Sequence, residues 1–229
     1  MRQKLIFLAV FWILLALCAA IAADVIDRIV ATVNGHIILQ SDWDSEVAFE
    51  SFMDARDVDR IGDEQRKAAL DHLIDQALLR QQMQSPEFRH VSEQDLSSRV
   101  TEIRKQYTGA ASDDHIWRGV LARYGLTETD LKDHIALQFD VMRLVDSRFR
   151  SSIQIDSKTV ESYYNQQLLP QVRQKGAKAV PLSEVAPKIK ELLTQEKMNQ
   201  MLTAWLQNLR SSGEIKTGTT ASFAGGPAE

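Results

Sequence analysis

The pattern of apolar and polar residues changes once along the chain, from a short alternating segment to a series of helical repeats. Between Asp27 and Asn34, alternate positions carry apolar side chains on both faces, and the pair Asn34-Gly35 follows. Both residues of this pair tolerate the positive φ angles of a type I′ turn. The sequence therefore predicts a β-hairpin whose second strand runs over residues 36–39.

A two-residue turn also fixes the register of the two strands. It predicts three facing pairs: Val30 with Leu39, Ala31 with Ile38, and Thr32 with Ile37. Because both faces of this hairpin are apolar, other elements of the protein must cover it.

The rest of the chain is typical of helices. Ser41, Ser92 and Thr127 are each followed by Asp three residues later, a variant of the capping box that begins a helix. Helices are predicted from Ser41 to about Arg56, from Asp63 to Ser85-Pro86, from Ser92 to about Gln106, from Ser112 to near Tyr124, from Thr127 through Phe149, and from near Asp156. Glu214–Thr217 predicts a short strand.

A last helix is predicted from about Pro187 to Arg210, and its apolar residues change sides. Those of the first half are Ile189, Leu192 and Leu193, and those of the second half lie nearly opposite: Met198, Met201, Leu202, Trp205 and Leu209. Either the helix kinks near Gln195, or its two halves pack against different bodies. The second alternative is favoured because no Pro or Gly lies at the switch.

The N-terminus is typical of a secretory signal peptide. Basic residues precede an apolar run, Leu5–Ile21, and the run ends in Ala20-Ile21-Ala22, a pattern of small residues that predicts cleavage between Ala22 and Ala23. The alternative is an uncleaved anchor, since the run reaches the lower limit for spanning a bilayer. A signal peptide would direct the protein to export, and its cleavage would remove the single cysteine, Cys18.

The composition narrows the class of protein. The 229 residues are 44% hydrophobic and 25% charged, which is ordinary for a globular protein. The net charge of −4 argues against nucleic acid as a partner, because phosphate binding requires a concentrated basic surface.

No catalytic, cofactor-binding or metal-binding motif is predicted. The five histidines fall on separate elements, and the paired carboxylates Asp71 and Asp75 lie among basic residues that indicate a solvated surface. The sequence instead offers a surplus of apolar side chains on the first helix, on two opposite sides. We therefore predict Trp43, Phe49, Phe52 and Met53 as client-binding residues on an exposed apolar patch.

Two separate stretches of the chain resemble one family, the SurA-like periplasmic chaperones. The first is Asp27–Gly35 followed by Ile37–Asp42, and it continues through Ile155-Asp156 and Tyr163-Tyr164. The second is Val180–Val185, followed by Lys197, Trp205-Leu206, Leu209-Arg210 and Ile215. The resemblance implies a mainly α fold, in which a helical bundle carries a small N-terminal β-hairpin joined by a short C-terminal strand.

The chain departs from this family between the two stretches. In the family, one or two parvulin-type prolyl isomerase domains usually lie there, whereas here residues 165–180 are far fewer than the roughly 50 that a domain needs. The implied organisation is a signal peptide (1–22), an N-terminal chaperone module (23–165), a linker in place of the parvulin domain (166–180), a C-terminal helix and strand that complete the module (181–217), and a disordered tail (218–229).

The resemblance implies an ATP-independent periplasmic chaperone that binds unfolded outer-membrane or secreted proteins through apolar surfaces and edge backbone hydrogen bonds. It predicts no enzyme activity and no cofactor. The alternatives are a peptidyl-prolyl isomerase, by family membership, and a membrane-tethered scaffold protein of the envelope.

Overall fold

The computed structural model describes residues 27–109 and 113–218, which form a small antiparallel sheet and a set of packed helices. The elements, in chain order, are β1 (Ile29–Val33), β2 (His36–Leu39), α1 (Gln40–Met53), α2 (Asp63–Gln82), α3 (Glu93–Thr108), α4 (Asp114–Arg123), α5 (Glu128–Phe149), α6 (Ser157–Tyr163), α7 (Leu169–Gln174), α8 (Leu182–Ser212) and β3 (Ile215–Thr217). The predicted mainly α fold is confirmed. Within the described residues, no helix combines the length and the apolar character needed to cross a membrane.

Three of the predictions concern residues outside this range. The signal segment lies before residue 27, Ser112 falls in the gap, and the tail is described only at its first residue, Gly218. The helix predicted to start at Ser112 is α4, and Asp113 is its N-cap.

The predicted hairpin is confirmed, and its turn has positive φ at both Asn34 (49°) and Gly35 (82°). The strands lie in the order β2-β1-β3, with both pairs antiparallel. The short strand predicted near the C-terminus therefore pairs with β1, and β2 remains at an edge of the sheet.

The predicted register is correct for two of the three pairs and wrong for Val30. Ala31 faces Ile38 and Thr32 faces Ile37, but Leu39 faces Ile29 because the register shifts at Val30. A bulge of this kind inserts one extra residue in a strand, so Val30 and Ala31 are both buried. The carbonyl of Val30 accepts a hydrogen bond from the N–H of Gly218 at 2.9 Å.

Ser41 is not the N-cap of α1, contrary to the prediction. The helix begins at Gln40, and Asp42 accepts the backbone N–H of Leu39 at 2.8 Å. The hydroxyl of Ser41 instead donates to Asp27 and lowers the pKa of that carboxyl. The other two predicted caps are confirmed, because the side chains of Ser92 and Thr127 each accept a backbone N–H in the first turn of their helix. Asp156, near which a helix was predicted to begin, does the same for α6.

Helix α1 is buried on two opposite sides, between two clusters of apolar side chains. Trp43 and Val47 belong to the sheet core, which also contains residues of β1, β2 and α2. Phe49 and Phe52 belong to the helical core, which they share with α3, α4 and α5. A third core joins the ends of α2 and α5 to the second half of α8.

Much of the predicted linker is helical, so that prediction was wrong about its conformation. A π-helical turn (Tyr164–Leu168) continues α6 and leads directly into α7, where Pro170 occupies an early position that needs no backbone N–H. The hydroxyl of Tyr164 donates to the carbonyl of Val180 at 2.7 Å and fixes the return of the chain to α8.

Helix α8 begins at Leu182, five residues before the predicted start at Pro187. Pro187 lies in its second turn, where one backbone hydrogen bond is lost close to a helix end. The helix is continuous across Gln195, and its two halves contact different elements, as predicted. Ile189 is buried in the half that packs on α6, whereas Trp205 packs against Phe149 of α5.

The two halves of α8 do not divide the sheet core and the helical cores between them. The second half alone reaches both, because Leu209 contacts the sheet core and the third core. The first half of α8 packs on α6 and on the π-helical turn that follows α6, where Leu193 lies.

Arg210 fastens the end of α8 to α2. Its Nε donates to Asp75 at 2.6 Å, and its two Nη atoms donate to the carboxylate of Asp71 at 3.3 Å and to the carbonyl of Asp71 at 2.9 Å. The hydrogen bond with Asp75 raises the pKa of Arg210. Asp71 and Asp75 are therefore structural partners of α8, and Asp71 also remains on a solvated surface as predicted, whereas Asp75 is more covered.

We predict that Arg210→Ala lowers the free energy of unfolding by about 1–2 kcal/mol, because several hydrogen bonds to one charged group are lost together. Arg99→Ala is the matched control, since within the described residues Arg99 forms an ion pair only with Glu102 on its own helix. Its replacement should lower the free energy of unfolding by less than about 0.5 kcal/mol. Urea unfolding of the two variants makes the comparison. Equal effects would contradict the structural role of Arg210.

Candidate functional site

The three cores leave a groove open between α1, α2, α5 and α8. Its volume is about 540 Å³, within the range of ligand-binding clefts. Six apolar side chains line it: Phe49, Met53, Leu79, Leu137, Val141 and Leu206. We call this feature the apolar groove.

The apolar groove exists because neighbouring helices cover α1 on two sides only. The deeper residues, Phe49, Leu79 and Leu137, are buried and belong to the surrounding cores. Met53, Val141 and Leu206 are half-buried, so they form the accessible part of the apolar surface. Each comes from a different helix, and the groove is therefore a product of tertiary packing.

One wall of the apolar groove is acidic. Glu46, Glu50, Asp54 and Asp75 contribute carboxylates to it, and Arg56 contributes a guanidinium that pairs with Asp54. Asp75 is already paired with Arg210 on the opposite helix. The groove thus combines apolar contacts with a wall that favours positively charged neighbours.

Glu46 is the most buried polar residue of this wall, with 3% of its side chain exposed. Its Oε1 accepts a hydrogen bond from Nε2 of Gln76 at 2.8 Å. Its Oε2 lies 3.2 Å from Nδ1 of His134 but has no hydrogen-bond partner in the described part of the chain. The ring of His134 stacks on Phe49, with 4.3 Å between ring centroids.

Glu46 and Glu50 lie one turn apart on α1, and His72 of α2 faces them. Nδ1 of His72 lies 2.5 Å from Oε1 of Glu50. One ligand atom from each of the three residues lies within 4.8 Å of the others. Imidazole nitrogen and carboxylate oxygen are both ligands of metal ions in proteins.

The structure corrects most of the predicted client-binding residues. Trp43, Phe49 and Phe52 are 3%, 3% and 0% exposed, so they are core residues, and of these three only Phe49 borders the apolar groove, at its deep side. The two apolar sides of α1 misled the prediction, because both are covered by the protein's own cores. Met53 is half-buried and lines the apolar groove, and its role in client binding stays a prediction.

Sequence reasoning missed the rest of the groove. Leu79, Leu137, Val141 and Leu206 match ordinary helical periodicity, and no local pattern shows that they meet. The pair Glu46 and Glu50 did carry a signal, since carboxylates four residues apart share a helix face. Their proximity to His72 depends on how α1 packs against α2, which the sequence does not encode locally.

A second, smaller cavity lies beside the edge strand β2. Its volume is about 280 Å³, and Ile37 and Ile38 of β2 line it together with Leu73 and Ala77 of α2. Ile37 is 48% exposed. Edge strands present backbone N–H and C=O groups that an extended peptide is able to pair with.

Comparison with known protein families identifies the first part of the chain. The family model of the SurA-like N-terminal domain matches residues 1–145. This range includes the hairpin, the first four helices and most of α5. No curated protein matches the chain.

Proposed function

The chain belongs to the SurA-like N-terminal domain family, and from this premise we propose that it is an ATP-independent chaperone of the cell envelope. Family membership indicates a chaperone-like role. The observation that carries the finer proposal is the apolar groove, which supplies a concave apolar surface within the matched domain and α8.

The proposed clients are unfolded outer-membrane or secreted polypeptides, bound as extended segments. An apolar or aromatic side chain of the client enters the groove and contacts Met53, Val141 and Leu206. The unbranched thioether side chain of Met53 adapts to different shapes, which suits a binder of many sequences. The acidic wall, with Glu50 at its centre, favours segments that carry Lys or Arg beside the apolar residue.

The edge strand β2 supports a second contact with the same clients. An extended segment that adds to the sheet beside Ile37 gains backbone hydrogen bonds that do not depend on client sequence. The cavity next to β2 then accepts one of its side chains. Together, the groove and the edge would bind a client at two places.

We further propose that the protein is exported and that this chain does not itself isomerise prolyl bonds. The apolar run at Leu5–Ile21 supports export. The short connection between α7 and α8, residues 175–181, supports the second statement, because it is far below the roughly 50 residues of a small domain.

We predict that Met53→Glu impairs the suppression of aggregation of an unfolded outer-membrane protein by severalfold, because it places a charge in the apolar part of the groove. Met142→Glu is the matched control, since Met142 is 63% exposed and does not line the groove. Light scattering at stoichiometric amounts measures the effect, and circular dichroism verifies the fold of both variants.

Two results of this experiment would overturn the groove proposal. One is full activity of Met53→Glu, and the other is an equal loss in both variants. If the unmodified protein does not suppress aggregation, the chaperone proposal itself fails, and a scaffold role is favoured.

A separate prediction concerns isomerase activity. Proline-limited refolding of a test protein should not accelerate at catalytic ratios of this protein, because a binder without an isomerase site leaves the high barrier to rotation unchanged. A known prolyl isomerase serves as the positive control. Acceleration at substoichiometric amounts would show that the protein is an isomerase.

A further inference from the structure

We propose that Glu46, Glu50 and His72 form a binding site for a single divalent transition-metal ion, with zinc as the best match. The three residues offer two carboxylates and one imidazole from adjacent helices, with their ligand atoms within 4.8 Å of one another. The site lies in the acidic wall of the apolar groove and goes beyond the proposed chaperone role.

The ligand set selects among metal ions. Zinc is bound by imidazole nitrogen and carboxylate oxygen, often with three protein ligands and a water molecule in the fourth position. Calcium requires six to eight oxygen ligands, and magnesium requires an octahedral shell of oxygens. Two carboxylates and one imidazole therefore fit zinc better than either of these ions.

The geometry requires only a small movement of exposed side chains. Ligand atoms around a tetrahedral zinc ion lie roughly 3.3 Å apart. In this structure the ligand atoms of the three residues lie within 4.8 Å of one another, so small adjustments bring them to that spacing. The side chain of His72 is 59% exposed and that of Glu50 is 21% exposed, so both have room to rotate towards an ion. Glu46 is held in place by Gln76 and provides the fixed point of the site.

The buried carboxylate of Glu46 is an independent reason to expect a cation. Burial of a carboxylate in an apolar environment is costly unless both oxygens are satisfied. Oε1 accepts from Gln76, but Oε2 has no hydrogen bond among the described residues, although Nδ1 of His134 lies 3.2 Å away. A metal ion bound by Glu46 would give this carboxylate a cationic partner in addition to the neighbouring His134.

The residues around the proposed ligands have the roles that neighbours of a metal ion usually have. Gln76 orients one carboxylate by hydrogen bonding, as outer-shell residues commonly do for metal ligands. The present contact between Nδ1 of His72 and Glu50 is one that a metal ion would replace. The groove provides a path for the ion to enter from solvent.

The test is a calorimetric titration of the tag-free protein with zinc chloride. We expect one zinc ion per chain, and an excess of magnesium or calcium should not displace it. His72→Ala and Glu50→Gln should each weaken zinc binding by more than about tenfold, because losing a ligand costs more than losing an outer-shell partner. Both positions are accessible to solvent, so both variants should fold.

His115→Ala and Glu64→Gln are the matched controls, because both residues are exposed and belong to other surfaces. They should leave zinc affinity unchanged. The proposal is overturned if the protein binds no zinc, or if zinc binds equally well to His72→Ala and to the unmodified protein. These outcomes do not bear on aggregation suppression, which the Met53 variants test separately.

Discussion

The structure depends on the burial of α1 on two opposite sides. Trp43 and Val47 require a cover on one side, which the three-stranded sheet and α2 provide. Phe49 and Phe52 require a cover on the other, which α3, α4 and α5 provide. Since each fully buried aromatic side chain contributes about 1.5–3 kcal/mol, α1 organises the whole molecule around it. The apolar groove is the side of α1 that no other helix covers.

The C-terminal segment, α8 and β3, packs against the matched N-terminal domain and completes its sheet and its cores. The family match ends at residue 145, yet β3 pairs with β1, and Leu209 contacts two of the three cores. Arg210 adds a polar attachment to α2 at the same place. Because Leu206 lines the apolar groove, the segment also contributes to the surface proposed to bind clients.

Local signals in the sequence predicted local structure well. The Asn34-Gly35 turn and the caps at Ser92 and Thr127 are correct, because each depends on a few neighbouring residues. Ser41 failed as a cap because Asp27, fourteen residues earlier, binds its hydroxyl. The bulge at Val30 likewise coincides with pairing to a strand near the far end of the chain.

The site was harder to predict than the fold, for a physical reason. An amphipathic pattern shows which side chains leave water, but it does not show whether they meet the protein's own core or a partner. The sequence pattern around Phe52 fits a core residue and a partner-binding residue equally well. The packing of four helices makes it a core residue. The same limit applies to His72, whose acidic neighbours come from another helix.

Site-specific photo-crosslinking tests most directly the central claim that unfolded polypeptides bind in the apolar groove. A photoreactive amino acid replaces Gln138, which is exposed and lines the groove, or Gln94, which is exposed on α3. With an unfolded outer-membrane protein as client, we predict strong crosslinks from position 138 and few from position 94. Equal crosslinking from both positions, or none from position 138, would show that the apolar groove is not the client-binding site.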